Sequence, residues 1–350
     1  MDAMNSSRGG RRRFGIAAIA ASGAGALLLV WTIRAAGAAA VLQGIRRLGP
    51  GFIIVCALGG IRGILRTVAW RLCLDDASLL KFRRAFSAYL AGGALGNITP
   101  FGWLISEPSK IVLVKDQLAA PASIAALAVE NLFYIVSVAM MLTMGTALLL
   151  SFAAPLPLAA SRVSLAVLAL VVCATIAGAW IVRGRRRIVS GAARRLGVRT
   201  RLRDIEDRVF EFAERHPDRV MPVALCQILF HASAVFEIWI ALRLITGQPP
   251  SLLTAFVLES VNRTITVAFQ FVPMWLGVDE AGTGLIAAAI GISPAAGVTL
   301  ALARKGRIVL WTAVGLAFWW PSVRATFQPS VEAGSGIGVR YAQSGCSHSE

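Results

Sequence analysis

Uncharged apolar stretches long enough to cross a lipid bilayer recur along this chain, and they decide its class. Between Arg13 and Arg34 the 20 residues Phe14 to Ile33 carry no charge, the length that covers about 30 Å of hydrocarbon as a helix. The run is longer than the h-region of a signal peptide, so a retained span is the reading. Further apolar regions cover roughly Phe52 to Leu72, Leu118 to Pro157, Val163 to Val182, Val220 to Ile245, Leu252 to Pro273 and Leu285 to Trp320. With 57 % hydrophobic and only 15 % charged residues, the chain falls outside the soluble globular range. An all-α, polytopic membrane protein is expected.

Charge is sparse and one-sided, 35 basic against 18 acidic residues. The arginines punctuate apolar runs and do not gather in one soluble basic domain, which argues against nucleic acid as a partner. The five cysteines are scattered without a CxxC pair and there are three histidines, so no disulfide framework, metal centre or cofactor site is indicated. Residues 183–219 hold twelve Arg and six acids, an amphipathic segment placed in the cytoplasm by the positive-inside rule, where it can lie on anionic lipid. That assignment puts residues 1–13 inside and gives a multi-pass membrane protein. Residues 328–350, rich in Gly and Ser, read as a disordered tail, leaving 14–327 as the membrane domain.

The topology leaves one segment unaccounted for. The chain is inside near Lys81, Arg83 and Arg84 and inside again near Leu118, so residues 85–118 leave and return on one side. This stretch is rich in Gly, Pro and polar residues, which suits a re-entrant helical pair buried in protein.

Comparing the chain with itself gives a match at offset 173. Pro100 falls on Pro273, Glu107 on Glu280 and Pro121 on Pro294. An odd number of spans lies between the copies, so the first repeat (about 85–150) and the second (about 252–320) would be inverted with respect to each other, an architecture of secondary transporters. Each proline lacks an N–H and disfavours helix before it, so Pro100, Pro273, Gly277 and Pro294 mark helix breaks. A broken helix presents free N–H groups and a positive dipole end, which attract a phosphate or carboxylate. A lipid with an anionic or zwitterionic head group is the partner this implies.

Ionisable groups within the bilayer cost about 2.5–3.5 kcal/mol each on insertion scales, so each needs a partner or a function. The candidates are Glu107 and Glu280 at the breaks, Glu130 with Asn131, Glu259 with Asn262 and Arg263, and Arg304, Lys305 and Arg307. Glu107 and Glu280 either cap freed N–H groups at their own breaks or meet substrate or protons. Arg304, Lys305 and Arg307 either follow an uncharged span from Ala281 to Ala303 as a cytoplasmic anchor, or, in the repeat register that sets Arg304 on Asn131, lie in mid-membrane. Glu237 reads as a satisfied structural acid. Arg62 and Arg66, one turn apart, can share a protein-facing side and either bind lipid phosphate or, the preferred reading, pair with an interior Glu. The substrate-binding set is Glu107, Glu130, Asn131, Glu280, Arg304 and Arg307.

The stretch GNITPFGWLISEPSKIVLVKDQLAAPASIAALAVENLFYI and the later FVPMWLGVDEAGTGLIAAAIGISPAAGVTLALARKGRIVLW resemble the flippase-like membrane domain of lysylphosphatidylglycerol synthases and their stand-alone relatives. The second block, with its Pro, LG-V-x-E, small-residue helix and Arg-bearing span, is the more specific. The resemblance covers roughly residues 15–320 and implies a lipid flippase or flippase-like protein of the bacterial cytoplasmic (inner) membrane, some relatives being associated with hopanoid lipids. Pro100, Glu107, Glu130, Pro273, Gly277, Glu280 and Arg304 match the motif positions. Where the family pattern has Gly-Gly before the first Glu, this chain has Ile105 and Ser106. The residues after Trp320 do not suffice for the aminoacyl-transferase domain of the synthases, so aminoacylation is not expected. A lipid transporter, a scaffold for lipid synthesis and an intramembrane enzyme remain as classes; the absence of HExxH and GxSxG weakens the last. No enzyme activity is expected, and an oligomer is compatible with the sequence.

Overall fold

A computed structural model describes residues 22–152 and 202–327, with the isolated Ala169. The expected span at Val163 to Val182, most of the Arg-rich segment, residues 14–21 and the tail from Gln328 lie outside the described residues. Among those described, every regular element is helical. In chain order these are α1 (Ser22–Ala36), α2 (Ala38–Leu48), α3 (Phe52–Leu72), α4 (Phe82–Asn97), α5 (Trp103–Leu113), α6 (Ala120–Phe152), α7 (Leu202–Arg215), α8 (Pro217–Thr246), α9 (Leu252–Ala268), α10 (Val278–Ala289) and α11 (Pro294–Phe327). Among the described residues, three helical stretches are long and apolar enough to cross a membrane: Ala38–Leu72, Ala120–Leu150 and Pro217–Thr246.

Local chemistry sets the boundaries. Pro217, Pro294 and, one residue in, Pro121 stand in the first turns of α8, α11 and α6, where a missing N–H costs nothing. Gly247 ends α8 in the left-handed region at φ 78° and its N–H donates to the Arg243 carbonyl. The Ser251 hydroxyl then accepts from the Thr254 N–H at 3.0 Å and starts α9. Between α3 and α4, Asp76 caps a short 3-10 turn, and hydrogen bonds from Ser78 hold its carboxyl below the usual carboxylate range.

The apolar regions from Leu252 and from Leu285 are not continuous spans. α9 stops at Ala268, the chain turns through Phe269–Gly277, and α10 stops at Ala289, four residues before α11 begins. An unbroken span over Ala281–Ala303 is therefore excluded, and with it the placement of Arg304 as an anchor following such a span. Pro294 marks the turn into α11 and does not interrupt a helix.

The two copies fold alike. Advancing Ala120, the first residue of α6, by 173 positions reaches 293, one residue before α11; advancing Trp103 reaches 276, two before α10. Phe101 and Met274, also 173 apart, both take left-handed backbone at φ 51° and 53°, an unusual state for bulky side chains. Each copy is thus a helix, a tight turn, a short helix and a long helix. The short helices α5 and α10, of 11 and 12 residues, rise about 16–18 Å, roughly half a hydrocarbon core. Each doubles back on its predecessor: Gly92 faces Ser106 and Lys110 and Gly96 faces Gly102 across α4–α5, and Gly282 faces Ile265 across α9–α10.

The packing is reciprocal. Helix α4 lies along α11 as α9 lies along α6; α3 meets α11 as α8 meets α6; and α3 and α8 pack on each other. The two tips touch, the Phe101 N–H donating to the Gln270 carbonyl at 2.9 Å, and Asn97 donates to Thr312 near the middle of α11 at 2.9 Å. Apolar packing fills the rest, with Val55, Ile238, Leu242, Leu258 and Leu300 in one cluster and Trp70, Leu74, Val114, Leu127 and Phe212 in another.

Close approach depends on glycine at both exchanged contacts. A Cβ on Gly315 would lie 2.3 Å from the Leu90 carbonyl oxygen, and one on Gly145 would lie 2.0 Å from the Ser260 hydroxyl. Gly315→Val should therefore lower stability by about 1–3 kcal/mol or more, read as a drop in the thermal midpoint of the purified protein. Gly93→Ala, where a Cβ would meet nothing within 4 Å, should leave the midpoint nearly unchanged.

Candidate functional site

The helices α3, α5, α6, α8, α9, α10 and α11 each contribute charge to one interior network. On α3, Arg62 pairs with Glu237 of α8, and one turn later Arg66 pairs with Glu130 of α6 at 2.9 Å. Arg307 of α11 approaches the other oxygen of Glu237 at 3.0 Å, so two guanidinium groups share one carboxylate. Glu259 and Arg263 pair along α9 at 2.8 Å. Arg304 of α11 donates to Asp279 and to Thr283 of α10, both at 2.7 Å. Lys305 lies 3.4 Å from Glu280 and donates to the Met274 carbonyl at the second tip. Glu107 and Lys110 pair within α5 at 2.6 Å.

Polar neighbours complete the network. Gln227 donates to Glu130 at 3.2 Å, Arg66 donates to Asn131 at 3.2 Å, and Arg66 lies over the Tyr134 ring at 4.0 Å. Arg263 reaches the Tyr134 hydroxyl at 3.3 Å, joining α9 to α6. Seven basic and six acidic side chains meet in these pairs. Burial is deep: Glu280 is fully enclosed and Glu237, Glu259, Glu130 and Arg304 are 1–2 % exposed. Charges so removed from water persist only when paired.

Glu280 caps its own helix. Its carboxylate accepts from the Gly277 N–H at 2.8 Å, with Gly277 at φ 80°, so the positive end of α10 is already met by protein. Glu107 behaves otherwise, pairing with Lys110 away from the first tip and remaining 28 % exposed at its side chain. Glu130 and Arg304, which the register sets at related places in the two repeats, have separate partners: Arg304 takes Asp279 and Glu130 takes Arg66. Glu130 and Asn131 still meet through Arg66, and Arg304 and Arg307 remain one turn apart on α11.

Several participants escaped the sequence reading. Lys110 follows Glu107 by three residues, a helical pairing distance that could have shown it. Asp279 adjoins Glu280 and could have been joined to Arg304 once the α10–α11 turn was placed. Gln227 and Tyr134 carry no local signal, since they act across the halves. Among the described residues no group of three His, Cys, Asp or Glu is placed to hold a metal ion. A cavity of about 130 Å³ at the α7 end of the molecule, walled by Leu118, Ala126 and Val129 with Asp75 and His216 at its rim, contains none of the network charges.

The arrangement is a set of buried ion pairs shared among seven helices. Glu237 is its most exposed point in energetic terms: removing it leaves Arg62 and Arg307 buried without a counter-ion. Glu237→Ala should cost about 3–5 kcal/mol of stability, whereas Asp116→Ala, at the exposed Arg84–Asp116 pair, should cost about 1 kcal/mol or less; thermal unfolding of the two variants checks the order.

A family model described as the lysylphosphatidylglycerol synthase TM region matches residues 15–316 of the chain. No curated protein gives a significant match, and no solved structure does.

Proposed function

From membership of the lysylphosphatidylglycerol synthase transmembrane-region family, to which this chain belongs, we propose that the protein is a lipid transporter or flippase, moving a lipid with a polar head group between leaflets and leaving it chemically unchanged. The observation that carries this reading is the reciprocal packing of two like-folded halves whose tips touch through Phe101 and Gln270, beside buried paired charges. On this reading the halves are inverted repeats, α4–α5 and α9–α10 are re-entrant from opposite sides, and the tips mark the middle of the bilayer. The short helices support it, being half the length a span needs.

Motion follows from the contacts. With α3–α6 as one half and α8–α11 as the other, rocking one against the other would open the network to each leaflet in turn, and the contacts that cross between halves, among them Arg62–Glu237, Arg263–Tyr134, Gln227–Glu130 and Asn97–Thr312, are those that must loosen. Acyl chains would stay in lipid while the head group entered between the halves. The Arg-rich segment would lie on the cytoplasmic, anionic leaflet of a bacterial inner membrane.

Glu280 and Arg304 occupy the enclosed part of the second half. Glu280→Gln and Arg304→Ala should each reduce translocation of a fluorescent phospholipid in proteoliposomes about ten-fold or more, the scale of one charge-assisted interaction, with helical content by circular dichroism retained. Wild-type translocation by both folded variants would remove the site assignment, and no translocation by the wild-type protein would remove the transport reading.

A further inference from the structure

Helices α2 and α7 hold corresponding places. Each leads into one of the paired helices, α2 into α3 and α7 into α8, and each lies along a long helix, α2 on α11 of the second copy and α7 on α6 of the first. Under α2 the contact is closed. Val41 packs against Ala295 and Val298, and a Cβ on Gly44 would lie 2.7 Å from the Thr299 hydroxyl. Under α7 a cavity of about 130 Å³ remains. The positions that match Ala295, Val298 and Thr299 at offset 173 are Ala122, Ala125 and Ala126, all three on the cavity wall. Alanine where the other copy has Val and Thr removes the atoms that would fill the gap, and a void with apolar walls forfeits packing contacts unless something occupies it.

The walls define what fits. Their inner part is apolar, and Phe212, which is buried and edge-on to Phe133, offers a ring for stacking. An apolar cavity of about 150 Å³ accepts a benzene ring, so this one has room for a single ring or an aliphatic group of like size. Asp75, Asp76, Arg215 and His216 stand at the mouth. Asp75 meets His216 at 3.2 Å, and Arg215 pairs with Glu211. Arg219, which also reaches this end, donates to the Leu74 and Asp75 carbonyls. Asp76 enters no ion pair among the described residues; it accepts from the Ser78 N–H at 2.8 Å, which favours its ionised form. The charge left over at the mouth is therefore negative, and the group that complements it is a cation.

We infer that this cavity binds a small organic cation, an ammonium group carried on one aromatic ring or an aliphatic body of about six carbons, with the apolar body against Phe212 and the three alanines and the ammonium at Asp76. Bound there, it joins α7 to α6 and to the end of α3, whose following residues Cys73 and Leu74 also line the space. A neutral molecule of the same shape fills the apolar part and leaves Asp76 unanswered. An anion meets a carboxylate at the mouth. The site stands apart from any movement of lipid, so it survives or fails independently of the transport reading.

Binding to the purified full chain in a neutral detergent tests this. Phenethylammonium should raise the thermal midpoint in a saturable way. Phenethyl alcohol, with the same ring, should need roughly three-fold more for the same effect, the scale of one exposed ion pair. Phenylacetate, with the wrong charge, and ethylammonium, without the ring, should give no saturable shift. Ala125→Val combined with Ala126→Thr puts the second copy's side chains on the wall, where the new hydroxyl can bond the carbonyl one turn back as Thr299 does to Ala295 at 2.7 Å. Filling the space in this way should weaken the phenethylammonium effect about ten-fold or more. Should that double variant fail to fold, Asp76→Asn, at an exposed position, decides: it should bring phenethylammonium to the level of the alcohol and leave the alcohol unchanged. No saturable shift with phenethylammonium, equal protection by phenylacetate, undiminished binding in the filled variant, or an undiminished preference for the ammonium in Asp76→Asn overturns the inference.

Discussion

One carboxylate holding two guanidinium groups is the interaction on which this fold turns. Glu237 of α8 takes Arg62 from the first half and Arg307 from the second, so the helix pair α3–α8 and the long helix α11 are fastened at a single buried point. In an apolar solvent that fastening is directional in a way that hydrophobic contact is not, because lipid competes with any apolar surface but offers no partner to a buried charge. The surrounding pairs extend the same logic outward: Arg66 ties α3 to α6, Arg263 ties α9 to the Tyr134 hydroxyl, and Arg304 ties α11 to α10. Apolar packing can slide; these contacts set the register in which it packs.

What the sequence made legible follows from period and composition. The span Phe52 to Leu72 coincides with α3, and the broken character of residues 85–118 is visible in its glycines and in Pro100. The offset of 173 is written in three residues, Pro100, Glu107 and Pro121, yet it aligns the left-handed residues Phe101 and Met274, which no composition argument would select. Hydrophobicity did not reveal the ends of α9 and α10. The stretch from Leu252 to Pro273 and that from Leu285 to Trp320 remain apolar through their turns, where Phe269 and Phe271 are exposed, so hydropathy carries no mark of where the helices end. Pairing was less legible still. Arg304 and Glu130 carry complementary charge at neighbouring positions of the repeat, but partner choice depends on which helix face each occupies after the hairpins close, and Asp279 is nearer than Glu130 could be.

The helix breaks also differ chemically from what their positions suggest. A free helix N-terminus would attract an anion, but at α10 the Glu280 carboxylate takes the Gly277 N–H, and Lys305 answers both Glu280 and the Met274 carbonyl. Backbone, acid and base close on one another, leaving no dipole end for a ligand there. On α11, Arg304 keeps Nε and Nη1 without hydrogen-bond partners among the described residues, so the donors left over near this break belong to a side chain of the next helix and not to its backbone.

The halves match in backbone and diverge in side chains, and that divergence has consequences for any alternating mechanism. At the positions of Asp279, Thr283 and Arg304 the first half has Ser106, Lys110 and Asn131. In the second half the base sits on the long helix and the acid on the short one; in the first half the short helix carries both partners, Glu107 and Lys110. A protein with identical halves would open to the two sides with equal free energy, since each state would be the other seen from the opposite face. Here the second half keeps its charges enclosed and bound across α10–α11, while the first half exposes Glu107 at its own hairpin. If the halves rock as proposed, loosening the second hairpin would uncouple Arg304 from Asp279, whereas the first hairpin would keep its Glu107–Lys110 pair within α5, so the two openings would be unequal and the one that moves α4–α5 the cheaper to populate.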